Sequence, residues 1–595
     1  MVSALRARAV PHRLVVPLAA LLTLALVVAG ALAAKLGRSG PEEPPTTARL
    51  PANDSSAQPA DLRPSASPAP RQSTRPNLVM VLADDMRADD LRWMPHVRTL
   101  LEDQGLEFRN AFATYPLCAP ARASLMTGEY SHNHQVLSHV EPYGFGALDD
   151  RRTIATSLNS AGYNTLFLGK YLNGYGSQES RVTGDSSFRY VPPGWTDWRA
   201  SVDRPPHSGF ASGGTYDYYD LLVNRNGTID HSHHGQYQTL AQGAMASRMV
   251  RRYHRSPKPF FLYWAPIAPH FGAPTEADDP SGVTWPDSGN AESFKTPARP
   301  PEVRGAYDSE ILRGSGMPAD GGPAEGNVHD KPRPISGLPE LSAQERLAVR
   351  TVSRQRAETL LVLDEQVQGL VRTLKATGEY DHTVFAFTSD NGYFLGEHRI
   401  RQGKIKAHEP SLRVPFLIAG PGLPHGVRYD PITTEDVAAT LLDLAGARPP
   451  HPADGESVVP SFRHDRGWRA AVLTEGLETS RVFRDATTHP APGFDDPRTT
   501  IGIRTPRWKY VRYNDGDGEL YDLDADANEL HNHYDDPRYA DVSEQLQRVW
   551  LKLKDCVGAA CSVPMPKDLQ RGPAQEHAST ERQAATVAAR LGHSY

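Results

Sequence analysis

Cysteine is scarce in this chain, with three in 595 residues: Cys118, Cys556 and Cys561. None stands in a paired Cys-x-x-Cys spacing, so a thiolate metal site is not expected. Nor can three cysteines scaffold a fold of this length, which must rest on a buried core. Cys556 and Cys561 are close enough in sequence to pair. Cys118 is then left over, and an odd cysteine in an exported chain is a candidate reactive group. A basic stripe is also missing. The formal net charge is −6 with 23% charged residues, and no aromatic-basic interleaving occurs, so no nucleic-acid partner is expected. Internal repeats are absent.

The long apolar run Leu14 to Ala34 follows Arg6, Arg8, His12 and Arg13. This order reads as an export signal. The run approaches the roughly 20 residues that span a bilayer, and Ala31-Leu32-Ala33 offers a cleavage site. Residues 1–34 are therefore an export signal or a membrane anchor, and both fates are open. With the arginines inside, the rest of the chain is expected outside the cell, secreted or anchored, touching a membrane only through this segment. Residues 35–75 are rich in Pro, Ser and Ala and read as a disordered linker.

The folded part is expected from residue 76. Leu78 to Ala83 and Thr383 to Thr388 are continuous apolar runs of strand formers. Such runs suit strands buried on both faces, with helices covering a mainly parallel sheet. Further strands are expected at Thr165 to Leu168, Phe260 to Trp264 and Pro415 to Ile418, with helices over Ile154 to Ala161 and Leu341 to Thr377. This alternation predicts an α/β sandwich over residues 76–447. Residues 175–215 and 272–340 are dense in Pro, Gly, Asp and Ser and read as long functional loops. From 448 to 563 short strands and turns such as Asn514-Asp515-Gly516 predict a smaller antiparallel subdomain with a helix near Ser543 to Leu553. Residues 564–595 read as a disordered tail.

Two acidic pairs end the two apolar strands: Asp84-Asp85 and Asp390-Asn391. In open α/β sheets ligands gather at the carboxyl ends of strands. Four hard oxygen donors with nothing soft beside them suit Ca²⁺ or Mg²⁺, and the choice between these is open. The segment Pro116-Leu117-Cys118-Ala119-Pro120-Ala121-Arg122-Ala123-Ser124-Leu125-Met126-Thr127-Gly128 has the form Cys-x-Pro-x-Arg. Pro120 suits the first turn of a helix whose N–H groups and dipole favour an anion.

These motifs resemble those of the type I, formylglycine-dependent sulfatases. The match runs from Arg75 to Cys561. It includes Arg75-Pro76-Asn77 through Asp85, the Cys118 signature, Gly169-Lys170-Tyr171-Leu172-Asn173, Ala268-Pro269-His270 and Thr388-Ser389-Asp390-Asn391-Gly392. Further on are Gly403-Lys404, Glu409, Arg413-Val414-Pro415 and Glu519 to Leu523. The resemblance implies an alkaline phosphatase-like sandwich, a large mixed sheet flanked by helices plus a smaller C-terminal antiparallel sheet. It implies that a formylglycine-generating enzyme oxidises Cys118 to formylglycine (3-oxoalanine) on the extended chain. The hydrated aldehyde attacks sulfur, and its second hydroxyl later expels sulfate. It further implies a metal site of Asp84, Asp85, Asp390, Asn391 and the modified residue 118. Arg122 would hold the nucleophile and metal-bound groups, and Lys170 and Lys404 would contact the diol and the sulfate oxygens. His270 would protonate the leaving oxygen or hold sulfate.

One departure stands out. Many members of this family carry a histidine two residues after the lysine of the second signature, and here Leu172 takes that place, followed by Asn173. The base for sulfate elimination is then open, with His132, His134 and His398 as candidates. Gly-Lys-Tyr-Leu-Asn, Ser131-His132-Asn133-His134 and Val191-Pro192-Pro193-Gly194-Trp195 resemble the N-acetylglucosamine-6-sulfatases. The implied substrate is a sulfated carbohydrate bearing a 6-sulfated amino sugar. One metal site and two lysines would grip only the sulfate, so the two long loops are expected to read the sugar, with Trp195, Trp198 and Tyr216 to Tyr219 either stacking on a pyranose ring or packing the loop down. The alternatives are an arylsulfatase, a phosphodiester or phosphonate-ester hydrolase of the same superfamily, and a non-catalytic carbohydrate-binding protein.

Overall fold

The computed structural model describes residues 75–204, 208–287, 290–468, 470–478 and 498–594. The chain divides into units 1–69 and 70–595. The first lies outside the described residues, and with it the expected export segment and most of the linker. Among the described residues no helix is long and apolar enough to cross a membrane.

Sixteen strands are described. In chain order the first seven are β1 Asn77–Ala83, β2 Leu106–Phe112, β3 Asn164–Lys170, β4 Asp197–Ser201, β5 Val223–Arg225, β6 Thr228–Asp230 and β7 Phe260–Ala265. A hairpin of β8 Thr284–Asp287 and β9 Asn290–Ser293 follows, then β10 Thr383–Ser389, β11 Phe416–Ala419 and β12 Gly426–Thr433. The last four are β13 Val472–Glu478, β14 Arg498–Arg504, β15 Trp508–Tyr513 and β16 Gly518–Asp522. Ten strands form one mixed sheet in the order β12-β2-β11-β10-β1-β7-β3-β4-β5-β6, and β13 to β16 form a separate antiparallel sheet. The expected large sheet and smaller second sheet are both observed.

The apolar runs become strands because both of their faces are covered. Alternate residues of β1 feed different cores: Leu78, Met80 and Leu82 enter one, Val79, Val81 and Ala83 the other. The first core is closed by helices Cys118–Thr127, Ile154–Ser160 and Thr434–Leu444, the second by Gln238–Tyr253 and Ala343–Ala376. The 34-residue helix Ala343–Ala376 starts at a capping box: Ser342 Oγ accepts from Glu345 N–H, and the Glu345 carboxylate accepts from Ser342 N–H at 2.7 Å. That reciprocal pair satisfies donors a bare helix end leaves open.

The C-terminal sheet is not a detached lobe. Its core joins Trp468, Leu473, Ile503 and Leu520 to Phe112 and Leu412 of the large-sheet region. Helix Ala540–Leu553 covers it, and Cys556 and Cys561 beyond that helix form a disulfide. The closed loop is short, with a sequence separation of 5, so its stabilisation should stay below the ~3 kcal/mol of a roughly 15-residue loop. Alkylation without reduction should leave both cysteines unlabelled. Labelling of both in protein from an oxidising compartment would refute the pairing.

The expected disordered tail is a correction. Residues Pro573–Leu591 form a helix that buries Val587 and Leu591. Ser579 and Gln583 donate to Pro506 O, and Gln583 accepts from Arg504 at 3.0 Å. Pro573 occupies the first turn and Gly592 ends the helix at φ +80°, a conformation glycine adopts freely. A thin apolar stripe supplemented by polar side chains left no strong periodicity in the sequence.

Candidate active site

Four adjacent strands, β10, β1, β7 and β3, run parallel and end at one edge of the sheet. Ala83 pairs with Ser389, so Asp84-Asp85 and Asp390-Asn391 emerge side by side. Lys170 ends β3, and His270 follows β7 after a tight turn closed by His270 N–H to Ile267 O at 2.7 Å. The signature helix begins at Cys118 itself, is wholly buried, and directs its N-terminus to the same edge. Small residues at 119, 121, 123 and 124 let it pack that closely. Lys404 arrives on the loop between β10 and β11. It is anchored by Ile405 N–H to Pro116 O at 3.0 Å, with Ile405 at φ +82°, an unfavourable backbone state for a β-branched residue. Asp85 also sits at positive φ, +66°, and its N–H donates to Asp390 Oδ1 at 3.0 Å.

The side chains converge. Cys118 Sγ donates to Asp84 Oδ1 at 3.3 Å and lies 3.6 Å from Asp85 Oδ1. Lys170 Nζ meets Asp84 Oδ2 at 2.6 Å. Lys404 Nζ contacts Asp85 Oδ1 and, at 2.7 Å, Cys118 Sγ. Arg122 Nε donates to Asp390 Oδ2 at 2.8 Å and a terminal nitrogen to Lys170 O at 2.9 Å. Its remaining nitrogen stands 3.6 Å from Asp84. Asn391 Nδ2 donates to Asp85 Oδ1 at 2.8 Å. His270 Nδ1–H donates to Phe271 O at 2.7 Å, which leaves Nε2 facing Asp85 Oδ2 at 3.6 Å. Asp84, Asp85, Cys118, Arg122, Lys170, His270, Asp390, Asn391 and Lys404 thus lie in one cluster.

The electrostatics follow from burial and charge. Burial would raise Asp84, but Lys170, His270 and Arg122 hold it well below the usual carboxylate range. Asp85 is likewise brought down to about 2, burial being outweighed by Lys404 and His270. Burial, reinforced by Asp84, pushes the Cys118 thiol well up, so it is protonated and a poor nucleophile. Burial lowers His270 to about 4 despite Asp84 and Asp85, so it is neutral at pH 7.

Asp85 Oδ2 and Asn391 Oδ1 are buried without a hydrogen-bond partner. Asp84, Asp85, Cys118 and His270 bring ligand atoms within 4.8 Å of one another. Unpartnered buried oxygens among acidic neighbours are costly unless a cation answers them. The residues therefore fit a divalent, oxygen-preferring cation held by Asp84, Asp85, Asp390 and Asn391.

His270 and Lys404 of the cluster line a cavity of about 940 Å³. The 272–340 loop contributes much of its wall, including Glu276, Phe294 and Ile335. Among the described residues none of 175–215 lines this cavity, so that half of the loop expectation is corrected. Trp198 is also corrected: it is fully buried and stacks on Phe167 at 4.5 Å, with Trp195 packed beside it. Tyr218 is buried against Tyr237. Tyr216 does face the site, under Lys170 Nζ at 4.9 Å and against His270 at 4.7 Å.

The three histidines considered for elimination are engaged elsewhere. His132 binds Glu475 and Cys556 O, His134 binds Ser124 Oγ at 3.1 Å, and His398 binds Glu325 at 2.7 Å. Two residues went unnoticed in the sequence. Arg356, on helix Ala343–Ala376, donates to Asp85 O at 2.5 Å and to Pro269 O, clamping two site strands. His139 lines the cavity beside Leu117 and Lys404. Neither belongs to a motif.

A family model described as sulfatase matches residues 76–447, well over half of the chain. The chain belongs to the sulfatase family. It is thus a sulfuric ester hydrolase by family. A second model, described as the C-terminal region of N-sulphoglucosamine sulphohydrolase, matches residues 396–555. An arylsulfatase of Volvox carteri is 29% identical over 82% of this chain and 76% of its own. The N-acetylglucosamine-6-sulfatase of Capra hircus is 26% identical, covering 84% and 87%. Among solved structures, one bound to its substrate D-glucosamine-2-N,6-O-disulfate has a TM-score of 0.59 at 20% identity, covering 80% of this chain and 97% of that one. The sulfatase's large mixed sheet and second antiparallel sheet agree with that shared fold.

Proposed function

We propose that this sulfatase hydrolyses the 6-sulfate of N-acetylglucosamine or a related sulfated sugar, using a formylglycine made from Cys118. The observation that carries the reading is the convergence of Cys118 with Arg122, four cation-ready ligands and two lysines, beside a cavity lined by Lys404 and His270 of the same cluster. A buried, protonated thiol is useless as it stands, so its place at a helix N-terminus among cations makes sense for an oxidised successor. The cation, when bound, supplies Lewis-acid stabilisation of sulfuryl oxygens and of the nucleophile.

The chain's own residues do the rest. Arg122 fixes Asp390 and Asp84 so that neither swings toward the substrate. Lys170 and Lys404 place two fixed positive charges where an anionic ester must sit, which suits charge developing on sulfuryl oxygens. His270 is neutral in the free site. An entering sulfate ester adds negative charge beside it and raises its affinity for a proton, readying Nε2 to hold or protonate the leaving oxygen. The resemblance of the motif Gly169 to Asn173 to those enzymes, and the 26% overall identity to the Capra hircus N-acetylglucosamine-6-sulfatase, support the sugar assignment.

An arylsulfatase reading is favoured by one feature, the apolar part of the cavity wall formed by Phe271, Phe294, Ile335, Leu338 and Ile400. A panel of 6-sulfated amino sugars, other sulfated sugars, an aryl sulfate and a phosphodiester tests both. The highest kcat/KM is expected for a 6-sulfated amino sugar. If the aryl sulfate exceeds every sugar by far, the sugar assignment is wrong. If the phosphodiester exceeds every sulfate, the sulfate-ester preference fails as well.

A further inference from the structure

We propose that His139 is the catalytic base of sulfate elimination, taking the place of the histidine absent at position 172. The inference rests on the formylglycine reading of Cys118.

Leu172 is buried in the core against the sheet and offers no proton acceptor. An elimination step still needs one, because a hydroxyl does not expel sulfate until its proton departs. His139 enters from a different element, the loop after helix Ser131–His134. That loop is held down by Gln178 Nε2 donating to His139 O at 3.2 Å. The main chain therefore faces the 174–178 turn, and the imidazole lines the cavity with Leu117, Asn173, Tyr216, His270 and Lys404. Its Nε2 is buried and has no hydrogen-bond partner. Asn173 Oδ1 in the same wall is also without a partner, its Nδ2 being donated to Tyr216 Oη. Two unanswered polar atoms in one wall describe a place for a hydroxyl-bearing ligand, since each such atom costs free energy until a ligand meets it.

The charges around His139 suit a base. Lys404, Lys170 and His270 face it, with Asp85 opposing them, and Lys404 is the residue that touches Cys118 Sγ. Burial first, then Lys404, Lys170 and His270, hold the imidazole well below its ordinary pKa, so it is neutral in the free enzyme. Arrival of the sulfuryl oxygens offsets the lysines and strengthens its pull on a proton. Neither His132 nor His134 is so placed, since both are saturated by protein partners.

The step balances. After sulfuryl transfer, residue 118 carries one free hydroxyl and one sulfated oxygen on the same carbon. Nε2 of His139, in the Nδ1–H tautomer, accepts the hydroxyl proton. The O–H electron pair becomes the second bond of the aldehyde. The bond from carbon to the sulfated oxygen breaks, and its pair leaves on sulfate. The protonated imidazole then returns its proton to water.

His139→Ala and His139→Gln test this in the full chain. Product alcohol should appear in a burst matching the formylglycine-bearing fraction, followed by turnover slowed about 10²- to 10⁴-fold, the usual reach of general base catalysis. Quenched samples should show the peptide bearing residue 118 heavier by one SO₃ group. Added imidazole should partly restore turnover of His139→Ala. Thermal melting of both variants separates this outcome from misfolding, and the Gln variant keeps the volume filled. Unchanged steady-state rates with no sulfated peptide in a folded variant would overturn the role of His139. An active wild-type enzyme whose peptide carries only a thiol would overturn the formylglycine reading, and this inference with it.

Discussion

Cys118→Ala is expected to abolish turnover while leaving the fold intact. The loss should be on the order of 10⁶-fold, the scale seen when the nucleophile of a covalent hydrolase is removed. Alanine keeps the helix start, and the lost Sγ contacts reach only Asp84, Asp85 and Lys404. The change in stability should therefore stay near 1 kcal/mol. The decisive companion measurement is the mass of the peptide Asn110 to Arg122. In active protein made with the matching oxidase it should carry an aldehyde or its hydrate at position 118. Cys118 is fully buried in the folded chain, so oxidase added to folded protein should convert none of it. Fully active protein showing only free thiol would sink the mechanism.

Asp390→Asn should remove bound divalent metal and activity together. One oxygen of Asp390 accepts from Asp85 N–H and the other from Arg122. The amide keeps the shape but halves the acceptor capacity and deletes the charge that balances Arg122. A fall of at least ~10³ in kcat is expected, the range seen when preorganised electrostatic stabilisation is lost. Elemental analysis of dialysed protein should show metal in the parent and none in the variant. Adding back Ca²⁺ or Mg²⁺ separately to stripped parent enzyme identifies the ion that restores activity. Full activity after exhaustive chelation and verified metal loss would contradict the site.

Much of this was legible in the sequence because central strands announce themselves. β1 is apolar from Leu78 to Ala83 and β10 from Val384 to Phe387, since each face meets its own core, and the acids that follow them had no packing reason to be there. Cys118, Arg122, Lys170, His270 and Lys404 were readable from motifs in a fixed order. His139 was not. It sits in an irregular loop whose His139 carbonyl is held by Gln178, and only the folded chain brings it to the cavity wall. Trp198 misled for the opposite reason: an aromatic in a Pro- and Gly-rich stretch looks exposed, yet it belongs to β4 and pairs beside Phe167. The terminal helix escaped notice because Ser579 and Gln583 hold it down as much as apolar residues do.

The side-by-side ending of β1 and β10 bears on how the protein is made. Asp84 and Asp85 leave the ribosome about three hundred residues before Asp390 and Asn391, their partners in the sheet register. An emerging chain thus owns only half of the proposed cation cage for most of its synthesis, and two bare aspartates would bind a divalent ion weakly. An ion at the proposed site would not template the early sheet. It would enter only after β10 slots beside β1, and would from then on stabilise that docked state by mass action. Metal uptake, followed in real time during refolding, would therefore clock the closing of the central sheet and lag behind collapse of the strands that precede it.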